Sequence, residues 1–145
     1  MVIKLLKMIK TSPISGIMSK NVIALTLEDN LERAEMLFKR HNIRHIPVVN
    51  AEIVIGMLSY SDLLRISYSE VSDDEHNIDS VVFDMFTIEQ VMTKNVTSVS
   101  SNTTVKEAAE ILAKREFHAL PVVDRGTLIG IVTTTDLLNY FIKQY

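Results

Sequence analysis

Two aspartates, Asp62 and Asp136, each stand three residues after one hydroxyl and one residue after another, in Ser59-Tyr60-Ser61-Asp62 and Thr133-Thr134-Thr135-Asp136. A carboxylate accepts hydrogen bonds on both oxygens and so suits a pair of neighbouring hydroxyls. Hydroxyls at a helix start, beside amides that have no partner within the helix, suit a phosphate. The same residues are also an ordinary way to open a helix, a hydroxyl cap with an acid in the first turn. Both readings place a strand-to-helix turn here, with a final helix beginning at Ser61-Asp62 and at Thr135-Asp136.

The two aspartates belong to a duplication. Gly56-Met57-Leu58-Ser59-Tyr60-Ser61-Asp62-Leu63-Leu64 returns as Gly130-Ile131-Val132-Thr133-Thr134-Thr135-Asp136-Leu137-Leu138, an offset of 74 residues. The same offset relates Pro47-Val48-Val49 to Pro121-Val122-Val123, and Met18-Ser19-Lys20-Asn21-Val22 to Met92-Thr93-Lys94-Asn95-Val96. Two copies of one supersecondary unit, neither of which need be stable alone, predict a pseudo-twofold pair sharing a core.

Bulk properties narrow the function. The 145 residues are one domain's worth of chain, enough to bury roughly two thirds of the unfolded surface. A net charge of −3 argues against a general nucleic-acid binder, which carries a basic excess. There is no cysteine, so disulfides, thiolate metal sites and cysteine nucleophiles are absent, in keeping with a reducing cytoplasm. No apolar run reaches the roughly 20 residues of a membrane span. Residues 1–11, with lysines at 4, 7 and 10, predict an amphipathic helix packed on the domain or on a second subunit, or else lying on a membrane surface. No glycine-rich phosphate loop, nucleophile–base pattern or metal cluster is present, so catalysis is not expected. His41 and His45 have a metal-like spacing, but Arg44 and Pro47 predict that the helix ends between them.

Local signals supply the elements that position the aspartates. Ser12-Pro13 and Thr87-Ile88-Glu89-Gln90 open short helices. Val22 to Leu27 and Val96 to Val99 read as first strands or extended segments. Asn30 starts a helix with Leu31, Ala34, Leu37, Phe38 and His41 on one stripe, and Thr104 starts its counterpart, with Glu107 as capping partner and Val105, Ala108, Ala109, Ile111 and Leu112 inward. Ile43 to Val49 and Phe117 to Val123 are second strands, each interrupted by a proline. Asp124-Arg125-Gly126 makes a hairpin turn, whereas Asn50-Ala51-Glu52 lacks the glycine. Residues 69–86 form an acidic linker whose apolar end, 81–86, either folds back or meets a partner.

Each copy therefore reads strand, helix, strand, strand, helix, with a Pro-Val-Val before the hairpin and Gly, two apolar residues, a hydroxyl and Asp-Leu-Leu after it. This pattern resembles the CBS domain, and the tandem resembles a CBS pair or Bateman module, covering about Ser12 to Tyr140. The resemblance implies an α+β (mixed α/β) fold of two β-α-β-β-α repeats packed as a pseudo-twofold pair. The expected organisation is an N-terminal segment 1–11, repeat 1 at 12–68, the linker 69–86 and repeat 2 at 87–145.

Members of this family bind AMP, ADP, ATP or S-adenosylmethionine in clefts between the repeats, usually to regulate an enzyme, channel or transporter. Carried onto this sequence, the resemblance makes Asp62 and Asp136 ribose contacts and gives Ser59, Ser61, Thr133 and Thr135 to the phosphate. Arg44, His45 and His118 match its basic phosphate positions; Ala119 does not. Each cleft would borrow a wall from the other repeat, Ile23, Ala24 and Ile43 for Asp136, and Thr97, Ser98 and Phe117 for Asp62. No cofactor is required; the ligand would be an adenine nucleotide or S-adenosylmethionine. With no effector domain in this sequence, the expectation is a cytoplasmic, homodimeric, free-standing module acting in trans on an unidentified effector protein. The alternative is a ligand-free interaction module that dimerises.

Overall fold

The computed structural model describes residues 2–68 and 78–145. In chain order they form α1 (Val2–Thr11), a 3-10 turn (Ile14–Gly16), α2 (Leu31–His41), β1 (His45–Asn50), β2 (Ile53–Ser59), α3 (Tyr60–Tyr68), α4 (Ile78–Met85), α5 (Ile88–Val91), α6 (Val105–Lys114), β3 (Ala119–Asp124), β4 (Thr127–Thr133) and α7 (Thr134–Lys143). Packing divides the chain into two compact units. Ile23–Val96 holds Asp62, and Met1–Val22 together with Thr97–Tyr145 holds Asp136. Sequence repeats and packing units are thus different divisions of the chain, because the opening segment of each repeat packs in the unit that contains the other repeat's hairpin.

In the Asp62 unit, β1 and β2 form an antiparallel hairpin with a register shift between Val48 and Val49. Leu25 adds to the free edge of β1 and Thr93 to that of β2. In the Asp136 unit β3 and β4 repeat the arrangement, with the shift at Val122/Val123, Val99 on one edge and Ser19 on the other. Met57 exchanges both backbone hydrogen bonds with Thr93 (3.0 and 2.9 Å), and Ile131 exchanges both with Ser19 (3.0 and 2.9 Å). Each therefore turns its polar backbone away from the proline opposite it, Pro47 or Pro121. A proline fits there because no hydrogen from its nitrogen is wanted on that side.

Of the two readings of 22–27 and 96–99, strand or extended segment, neither run forms a full strand, and each pairs through a single rung. The Leu25 amide donates to the Pro47 carbonyl (3.0 Å) and the Val49 amide to the Leu25 carbonyl (2.8 Å); Val99 repeats this with Pro121 and Val123 (3.0 and 2.8 Å). The next parallel rung would need the Pro47 or Pro121 amide to reach the carbonyl of Ile23 or Thr97, and proline has none.

The helices start largely where the capping chemistry predicts. The Asn30 side chain accepts from the Arg33 amide at 2.8 Å, and Thr87 with Gln90 and Thr104 with Glu107 form complete capping boxes. Pro13 is the cap of the 3-10 turn rather than its first residue, and it caps without a side-chain bond. Ser12 instead receives the Tyr140 hydroxyl at 3.2 Å. The core of the Asp62 unit joins Leu31, Ala34, Leu37 and Phe38 of α2 to Ile46, Val48, Leu58, Leu63 and Phe83. His41 is exposed and leaves the stripe, because α2 ends there on Asn42 in the left-handed region (φ 51). In the Asp136 unit Val105, Ala108 and Leu112 of α6 meet Leu120, Val122, Val132 and Leu137, and α1 packs beside α6. At the apolar end of the linker, Val82 and Phe83 fold back into the Asp62 unit; its acidic centre, at 73–75, lies outside the described residues.

Both hairpins turn in two residues. Arg125 (φ 52) and Gly126 (φ 79) make the turn in β3–β4, while Ala51 (φ 55) takes the first position in β1–β2.

Candidate ligand-binding site

The two aspartates sit in the first turns of α3 and α7, each the third residue of a helix that begins at Tyr60 or Thr134 rather than at the expected Ser61 or Thr135. The capping hydroxyls are therefore Ser59 and Thr133. Asp62 Oδ2 accepts the Ser59 amide at 2.9 Å and the Asp62 amide donates to Ser59 Oγ at 3.1 Å. Asp136 Oδ2 accepts the Thr133 amide at 2.8 Å and its own amide donates to Thr133 Oγ1 at 3.2 Å. This reciprocal box explains why an acid stands three residues after a hydroxyl at a strand end. It engages one carboxylate oxygen and fixes the orientation of the other.

Backbone hydrogen bonds bring the basic residues alongside. The Arg44 carbonyl accepts the Tyr60 amide at 2.8 Å, and the His118 carbonyl accepts the Thr134 amide at 3.0 Å. The residue before each Pro-containing strand is thereby pinned to the first residue of the closing helix, and both Arg44 and His118 have exposed side chains. His45 is half-buried opposite Ser59 in the ladder, whereas Ala119, opposite Thr133, is buried. Ser61 Oγ lies 3.0 Å from Ser59 Oγ, and Ser61 and Thr135 are exposed on the first turns.

The Asp62 unit thus collects Arg44, His45, Ser59 and Ser61, and it also contains Ile23, Ala24 and Ile43, with Ile23 and Ile43 half-buried against its core. The Asp136 unit collects His118, Thr133 and Thr135, and it also contains Thr97, Ser98 and Phe117, with Phe117 against its core. His41 and His45 lie on different elements, at the end of α2 and the start of β1.

One difference between the copies escaped the motif comparison. Arg65 Nη1 lies 3.6 Å from Asp62 Oδ1, an i, i+3 pair on α3. The position 74 residues on is Asn139. Asp136 has no cationic partner among the described residues. The signal was in the sequence at three residues past the acid, but it gains meaning only once a helix puts the two side chains on one face.

The CBS domain family model matches residues 14–69 and 88–143, and the chain belongs to the CBS domain family, as a tandem pair. It is similar to a CBS domain-containing protein of Bacillus subtilis, YhcV, with 26% identity over 126 residues, 87% of this chain and 83% of that protein. It is 35% identical over 127 residues to inosine-5′-monophosphate dehydrogenase of Halalkalibacterium halodurans, covering 85% of this chain but 23% of that enzyme. Among solved structures, the CBS domain pair of protein MJ0100, in complex with 5′-methylthioadenosine and S-adenosyl-L-methionine, matches with a TM-score of 0.72 and 25% identity, over 90% of this chain and 99% of that one. No helix among the described residues is long and apolar enough to cross a membrane.

Proposed function

We propose that this CBS pair is a regulatory module that binds an adenosyl compound, AMP, ADP, ATP or S-adenosylmethionine, and acts in trans on a partner protein. The observation that carries the reading is the capping box at each aspartate: it orients a carboxylate at the helix start and leaves Oδ1 outside the box. A similar CBS pair holds two adenosyl ligands.

In this reading Asp62 and Asp136 accept the ribose hydroxyls. Ser59, Ser61, Thr133 and Thr135 take the phosphate or its counterpart at the positive end of each helix, assisted by Arg44 and His45 in one copy and His118 in the other. The half-buried Ile23, Ile43 and Phe117, with Ala24, Thr97 and Ser98, supply surfaces for the purine. The missing proline amides leave the Ile23 and Thr97 carbonyls outside the ladder, where they can accept from an exocyclic amine. A ligand of this size, at about 0.3 kcal/mol per heavy atom, reaches about −7 kcal/mol, a dissociation constant of several micromolar or weaker. Calorimetry with AMP, ATP and S-adenosylmethionine tests the reading on wild type and Asp136→Ala. Millimolar ligand without heat on wild type removes it.

A second reading, a dimerising interaction module with empty sites, draws on the apolar residues left in solvent on the closing helices: Leu64, Leu138 and Ile142, the last 69% exposed. A homodimer through these helices is compatible with both readings.

A further inference from the structure

We propose that Arg65 makes the two copies unequal by holding Asp62 against ribose, so that Asp136 is the carboxylate a nucleoside engages first. The inference rests on the adenosyl-binding reading and says which of its two motifs is open. In the Asp62 copy Oδ2 accepts the Ser59 amide at 2.9 Å, and Oδ1 forms an ion pair with the Arg65 guanidinium at 3.6 Å, so a positive charge already stands beside it. In the Asp136 copy Oδ2 is committed to the Thr133 amide at 2.8 Å, and Asn139, which stands at the Arg65 position, carries no charge to occupy Oδ1. A vicinal diol donates two hydrogen bonds and does best against an oxygen whose lone pairs are free. At Asp62 it must first displace the guanidinium.

The Arg65 side chain is 76% exposed while the Asp62 side chain is 14% exposed, so the cation of the pair stands in solvent and the acid is mostly covered. An exposed pair of this kind is worth little and breaks readily, which suits a graded bias rather than a permanent block. Arg65 thus acts through Asp62 as a positioning and selecting residue, and it touches no ligand in this scheme. For a phosphorylated ligand the order can reverse, because the same copy offers Arg44 where the other offers His118. Adenosine, which has the diol and no phosphate, isolates the effect.

The experiment is adenosine binding by calorimetry on the full chain. Asp136→Asn keeps an oxygen for the Thr133 amide, preserving the cap while reporting on the Asp62 copy; Asp62→Asn does the converse. Wild-type affinity should fall further on Asp136→Asn than on Asp62→Asn. In the Asp136→Asn background, Arg65→Asn should tighten adenosine about two- to fivefold, the worth of an exposed ion pair. In the Asp62→Asn background, Asn139→Arg should weaken it by a similar factor.

Salt provides a readout that a merely structural role would not move. Adenosine is uncharged, so raising ionic strength should improve its binding in Asp136→Asn and lose that effect once Arg65 is also replaced. A loss on Asp62→Asn as large as that on Asp136→Asn, or an Arg65→Asn change that leaves affinity and salt response unaltered, overturns the proposal while leaving the adenosyl-binding reading standing. A wild type silent to adenosine, AMP, ATP and S-adenosylmethionine alike removes both.

Discussion

Met18 lies over Gly130, 112 positions away in sequence, so closely that a β-carbon added to the glycine would stand 2.6 Å from the methionine sulfur. Met92 covers Gly56 in the same way, at 2.3 Å. Each glycine in the middle of a closing strand is therefore required by packing, with the methionine of the neighbouring edge segment lying where a side chain would go.

Replacing either glycine by alanine should destabilise the protein by about 1–3 kcal/mol, the usual range for overpacking. The two positions should differ in rescue. The three atoms nearest a β-carbon at Gly56 all belong to the flexible Met92 side chain, whereas one of those at Gly130 is the Ser19 backbone oxygen, at 3.1 Å. Double-mutant cycles in urea should therefore show strong coupling of Gly56→Ala with Met92→Ala, and weaker recovery of Gly130→Ala by Met18→Ala.

Ala51 turns the first hairpin at φ 55, a conformation in which a β-carbon is strained. Ala51→Gly should stabilise by about 0.5–1 kcal/mol despite the entropy glycine adds to the unfolded chain, and Gly126→Ala in the second hairpin should destabilise by a similar amount. Urea midpoints measure both.

Thr133→Ala removes the hydroxyl that caps α7 and should cost about 1 kcal/mol. Asp136→Asn should cost less, because its amide oxygen can still accept the Thr133 amide. A comparison of thermal midpoints separates the cap from the charge, so a binding defect in Asp136→Asn with a preserved midpoint belongs to the site.

Asp124 ties the β3–β4 turn to the loop before α6, accepting from the Ser101 hydroxyl at 2.5 Å and the Ser101 amide at 3.0 Å. These bonds hold its carboxyl below the ordinary carboxylate range, helped by Arg125 and opposed by partial burial. A carboxyl depressed in the folded state stabilises above its unfolded value, and that contribution is lost as pH falls through the folded value. The stability gap between wild type and Ser101→Ala should therefore narrow as pH is lowered from about 6 to about 2, read from urea midpoints. A gap that does not change with pH would assign the contact to packing alone.

If a dimer forms through the closing helices, Leu138→Asp and Ile142→Asp should give a monomer by light scattering at tens of micromolar, with the helices intact by circular dichroism. Unchanged mass would place any association elsewhere.

The sequence by itself determined what local chemistry controls. The duplication named the repeat, capping signals at Asn30, Thr87 and Thr104 placed three helix starts, and the Pro-Val-Val and Asp-Leu-Leu motifs marked the hairpins and closing helices, because caps, prolines and turns act within a few residues. Tertiary structure alone decided the rest. That Ser19 and Thr93 extend hairpins far away in the chain, that Pro47 and Pro121 cut the first strands to one rung, and that Met18 and Met92 cover glycines all depend on which backbone edges and side chains meet in space. Residue type states what a group can bond to, and only the fold states what is within reach.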